Sequence, residues 1–152
     1  MMKSENMENR DSMTAQVTLA DLIHSPLADR EGIDNRPPEA AMGMLKILLD
    51  KVIQPIERLI DKPLRIVSGY RSVALNRLVR GRRHSHHIIG CAADISVGSR
   101  TENRQLYHQL RRLAREGRVR YTALEADARY RWLHISYVPT MLFKGNKRFV
   151  SM

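Results

Sequence analysis

Cysteine is almost missing from this chain: Cys91 is the only one, so no internal disulfide can form and a four-cysteine structural zinc site is excluded. Long apolar runs are missing too. No stretch approaches the roughly 20 apolar residues that a membrane helix needs, and the opening MMKSENMENRDSMTAQ is polar throughout, unlike a secretory signal. Aromatic residues make up only 5% of the chain, with one tryptophan, and neither zinc-finger spacing nor a reading helix is present, so specific nucleic-acid recognition is not expected. Acidic residues are outnumbered, 16 against 26 basic ones, which leaves a net charge of +10. Such a surface attracts polyanions and is weakened by salt.

The length, 152 residues, is that of one ordinary domain, large enough to bury a real core. Residues 1 to 16 contain few large apolar side chains and read as a disordered leader, with the domain over 17–143 and a tail over 144–152. Thr18 to Ile23 predicts a short helix with Thr18 and Asp21 as a capping box. Pro26 to Arg30 predicts a second, capped by Ser25 and stopped by Gly32. From Pro38 onward Ala41, Leu45, Leu48, Val52, Ile56 and Leu59 recur at helical spacing, in a long amphipathic helix that Pro55 should kink or divide. Leu64 to Val67 suits a strand, and Ser72 can cap a helix running to about Arg80. Cys91 to Val97 reads as a second strand, with Asp94 pointing away from its apolar face. Thr101 is placed to cap a helix whose stripe is Leu106, Leu110 and Leu113, with Gly117 at its end. Val119 to Glu125 and Trp132 to Val138 read as an antiparallel hairpin. Helices first, then strands interleaved with helices, predict an α+β domain with a small, mainly antiparallel sheet and flanking helices.

Hydrolytic zinc is usually held by three ligands drawn from neutral imidazole and carboxylate, with a fourth position left for water. His87, Asp94 seven residues later and His134 on the last strand form such a set, with Gly90 allowing a tight turn between the first two. Ser85 to Asp94 fits the pattern S-x-H-x-x-G-x-A-x-D, and Trp132-Leu133-His134 fits W-x-H. With Ser68-Gly69-Tyr70-Arg71-Ser72, Asn76, and the segments TLADL and GIDNRPP, the chain from about Thr18 to Pro139 resembles the zinc D-alanyl-D-alanine carboxypeptidases, whose fold is related to the hedgehog domain. Three motifs in the right order are far more specific than one.

The resemblance implies one zinc per chain, held by His87, Asp94 and His134. It implies Glu125 as general base, with Asp127 as its competitor, and Arg71 as the residue that binds substrate and polarises the scissile carbonyl. Ser85 is a further substrate contact, and Trp132 is core or pocket wall with a substrate contact as the alternative. His86 stands where relatives often carry an amide, and with His84 it gives the loop three imidazoles. His24 and His108 read as surface histidines, Cys91 as a small buried apolar residue, and the arginines of the Leu106 helix as a solvated face. The implied substrate is the stem peptide of peptidoglycan, cut beside a D-amino acid. Anionic wall polymers suit the charge, and a wall-lytic role of the phage endolysin kind suits the small size. With no signal or membrane span, the protein is expected to be made in the cytoplasm and to reach the wall after release or in a virus particle. The alternative is a wall-binding or virion module that keeps the metal without catalysis.

Overall fold

The computed structural model describes residues 16–140; the expected leader, apart from Gln16, the tail, and residues 141–143 lie outside them. Two short helices open the fold. In α1 (Leu19–Ile23) Thr18 and Asp21 cap each other reciprocally, and in α2 (Pro26–Arg30) the Ser25 hydroxyl accepts from the Ala28 N–H. Helix α3 (Glu39–Leu48) continues through a π-helical turn, Leu49–Ile53, into α4 (Gln54–Leu59). That turn lies just ahead of Pro55, which lacks an N–H, so the expected break takes the form of a wider turn rather than an interruption.

Strand β1 (Arg65–Ser68) leads to α5 (Val73–Leu78), and β2 (Ala92–Ser96) to α6 (Arg100–Arg115); β3 (Ala123–Ala126) and β4 (Leu133–Ser136) form the closing hairpin. The N-cap of α6 is Ser99, whose hydroxyl accepts from the Glu102 N–H, not Thr101, which lies inside the first turn. Ser99 comes directly after Gly98 and has the extended backbone that a cap requires. All pairings are antiparallel, in the order β1-β2-β4-β3. The β2 strand is buried throughout, so the face expected to be polar is covered as well.

One face of the sheet presents Ala93, Ile95, Leu133 and Ile135, which share a core with Leu45, Leu48, Val52, Ile53 and Ile56 and with Leu106, Leu110 and Leu113 of α6. The other face carries a row in which Ser68 pairs with Asp94, Asp94 with His134, and His134 with Glu125. Directly opposed residues of antiparallel strands point to the same side, so the four stand in line across all four strands. A β-bulge makes the row complete. Ile66 pairs with Ile95 but Ser68 with Asp94, so Val67 is the extra residue and Ser68 turns from the core side to the Asp94 side.

Candidate metal centre

His87 reaches the row from a tight loop rather than from a strand. Ser85 N–H donates to the Arg82 carbonyl, Ile88 N–H to that of Ser85 and Cys91 N–H to that of His86, while the Ser85 hydroxyl accepts from the His87 N–H at 3.2 Å. Gly90 closes the loop at φ +78°, and a Cβ there would strike the Ala41 carbonyl of α3. The buried His87 ring donates from Nδ1 to the Gly69 carbonyl at 2.7 Å. A carbonyl only accepts, so Nδ1 holds the proton and Nε2 turns inward, 3.3 Å from Asp94 Oδ1. His134 Nδ1 lies 2.9 Å from the same oxygen, and the two imidazoles meet edge to face at 5.1 Å.

One nitrogen of each imidazole and one Asp94 oxygen thus lie within 4.8 Å of one another. Burial opposes ionisation of Asp94, but the His134 and His87 imidazoles held against it outweigh that cost and keep the carboxyl well below the usual range. Two imidazoles and one carboxylate make a donor set that suits zinc. The set is braced from outside by the Gly69 carbonyl on His87 and by Arg71 Nη2, 3.3 Å from Asp94 Oδ2. His84 and His86 stand apart from this cluster but line the adjoining cleft. Burial, and then the neighbouring imidazoles of His134 and His87, keep His86 below its ordinary value, with Glu125 acting the other way.

Arg71 is fixed by three acceptors: Ser68 Oγ on Nε at 3.1 Å, Asn76 Oδ1 on Nη1 at 3.3 Å, and Asp94 on Nη2. Its backbone N–H donates to the His87 carbonyl at 3.2 Å, which ties the arginine turn to the ligand loop. Asn35 holds the turn from behind, donating to the carbonyls of Ile23 and Tyr70 and accepting from the Ser72 N–H. Gly69 lies so close to α1 that a Cβ would strike the Leu22 carbonyl. Sequence reasoning gave Asn35 no role, although it sits in the segment GIDNRPP. It missed Asn103 altogether, a buried residue of α6 that accepts from the Val97 N–H and donates to the carbonyls of Tyr130 and Arg131, joining the end of β2 to the hairpin connection. The signal available was a polar residue three positions before Leu106 on the apolar side of α6.

The two candidate bases differ in surroundings. Glu125 is exposed beside His134. Asp127 is committed to the hairpin connection: it accepts from Arg131 Nε at 2.8 Å and Nη2 at 3.0 Å and from the N–H groups of Arg129 and Arg131. The Arg131 bonds hold its carboxyl well below the usual range. Trp132 is half-buried in the cleft wall, with the Arg131 guanidinium 4.6 Å over its ring. The cleft, about 580 Å³, is lined by Arg71, Ser85, Glu125 and Trp132 together with the cluster. Ser136, two residues beyond His134, also borders it, and its buried hydroxyl has no hydrogen-bond partner among the described residues.

No curated protein matches the chain. The family model described as Peptidase M15 matches residues 15–136, a span that holds every element of the sheet and all three residues of the His-Asp-His cluster. The chain therefore belongs to the peptidase M15 family, metallopeptidases that include the zinc D-alanyl-D-alanine carboxypeptidases.

Proposed function

We propose that the protein is a zinc peptidase that hydrolyses peptide bonds beside D-amino acids in peptidoglycan, acting on the wall after release from the cytoplasm or as part of a virus particle. The observation that carries the reading is the cross-strand row: Asp94 and His134 beside Glu125, with His87 Nε2 brought to the same point by its loop. His87, Asp94 and His134 would hold the zinc, which when bound would supply a Lewis acid able to acidify water and polarise a carbonyl. Glu125, paired across the strands with His134, would take a proton from the attacking water and pass it to the leaving amine. Arg71, immobilised by Ser68, Asn76 and Asp94, keeps N–H groups that can brace the scissile carbonyl as negative charge grows on its oxygen. Ser85 and Trp132 line the cleft, and in this reading the peptide lies against them. The charge of +10 favours residence on anionic wall polymers.

Metal analysis followed by mass spectrometry of muropeptides tests the proposal. About one zinc per chain is expected, together with muropeptides shortened or unlinked at a bond to a D-amino acid. His87→Ala and His134→Ala should each greatly weaken zinc binding, because two ligands make an inadequate site. Zinc uptake with every muropeptide unchanged would leave a metal-containing binding module.

A further inference from the structure

The cleft does not stop at the candidate metal centre. A second cavity of about 500 Å³ continues past Arg71 and Trp132 and shares with the first those two residues, Val79 and Asp94. The first cavity lies over β2, β4 and β3, and the second reaches Val67 and Ser68 of β1. Together they cross the full width of the sheet, with the His-Asp-His cluster along the way.

The second cavity is walled by apolar side chains, among them Leu27, Leu75, Val67 and Val79. Val67 and Val79 are 43% and 39% exposed, two of the four large apolar residues left open to water among the described residues. The exposure of Val67 follows from its place as the bulged residue of β1, the same irregularity that turns Ser68 toward Asp94. Single exposed valines need no explanation, but these two line one groove beside the cluster and give it an apolar rim. Arg30 also lines the groove, and its one carboxylate contact among the described residues is with Glu31, at 3.9 Å. His24 nearby is engaged by Asp29 at 2.9 Å. Among the described residues the only carboxylate lining the groove is Asp94, itself bonded to Arg71.

We infer that this groove is a second arm of the substrate site. The enzyme therefore cuts within a peptide, one segment lying over β3 and the other, carrying apolar side chains and a carboxylate for Arg30, lying along Val67 and Val79. The inference rests on the peptidase reading and deepens it: a site that trims a terminal residue needs a wall just past the scissile bond, whereas here cavity space lies on both sides of Arg71 and Trp132.

The test uses the zinc-loaded full chain and two probes: a cross-linked muropeptide dimer, whose chain continues on both sides of the bond, and the monomeric pentapeptide, whose chain stops just past it. The dimer should be the better substrate. Arg30→Glu and Val67→Glu alter exposed side chains outside the catalytic set; each should lower kcat/KM for the dimer by about tenfold and leave the monomer unchanged. The same changes placed on Glu125→Gln, which is expected to bind without turnover, should weaken dimer affinity by about tenfold in calorimetry. A monomer cut as well as the dimer, with both variants equal to wild type, overturns the second arm and leaves the peptidase reading intact. If neither probe is cut, the peptidase reading falls and calorimetry decides the groove: binding that depends on Arg30 and Val67 keeps it, and binding indifferent to them removes it.

Discussion

At the scale of single residues, partners decide more than residue type. Glu125 and Asp127 are both carboxylates on the closing hairpin, two positions apart, and sequence alone leaves them as rivals. The structure gives Asp127 to Arg131 and the turn, while Glu125 stands beside His134. Glu125→Gln should therefore keep zinc and the native fold but lose turnover by on the order of a hundredfold or more. Asp127→Asn should lower Tm and leave kcat largely unchanged; zinc content, melting and kinetics on one muropeptide distinguish the two, and the reverse pattern would make Asp127 the base. Cys91 illustrates the same rule for a buried group. Burial pushes its thiol up to about 11 from an ordinary 9.0. The folded protein prefers the neutral thiol, so this contribution to stability is complete below pH 9 and is lost as pH rises through about 11. Native protein at pH 8 should not react with a thiol reagent, whereas denatured protein should, and denaturation curves on the alkaline side should steepen their fall in wild type but not in Cys91→Ala.

At the scale of elements, most of the fold was legible because its signals are local. Thr18 with Asp21, Ser25 before Pro26, the stripe of α6 and the closing hairpin are each written within a few residues. The cap of α6 was misread because Ser99 and Thr101 are both competent hydroxyl residues, and only the backbone shows which one is extended. Ser99→Ala should cost about 1 kcal/mol of stability. Thr101→Ala should cost much less, and equal Tm losses for the two would contradict this cap. The β1 bulge was not legible at all. The run Arg-Ile-Val-Ser suits an unbroken strand, and nothing in it says that Ile66 and Ser68 face opposite sides. That irregularity places Ser68 under Arg71, so the element that best orients the arginine is the one that sequence patterning cannot reveal.

At the scale of the whole molecule, the residues of the cluster were legible as motifs and their convergence was expected from the resemblance, but the way the fold achieves it was not legible. His87 and Asp94 are near each other in sequence, whereas His134 lies 40 residues beyond Asp94 and meets it only because β4 is inserted between β2 and β3. The supports lie still farther away: Asn35 is 37 residues from Ser72, and Asn103 clamps a connection 27 residues on. A metal that bridges such distant segments binds the folded state and not the unfolded chain, so its affinity appears as folding stability. At a free concentration about a thousandfold above Kd that linkage amounts to roughly 4 kcal/mol, a Tm difference on the order of 10 °C for a chain of this size. Stripping the protein with a chelator should lower Tm by about that much, and added zinc should restore it in proportion to the logarithm of its free concentration. In His134→Ala the two melting curves should coincide, because the strand that closes the site no longer offers a ligand. An equal chelator effect in wild type and variant would place the metal elsewhere, and none in wild type would mean that the cluster is held together by the Asp94 hydrogen bonds alone.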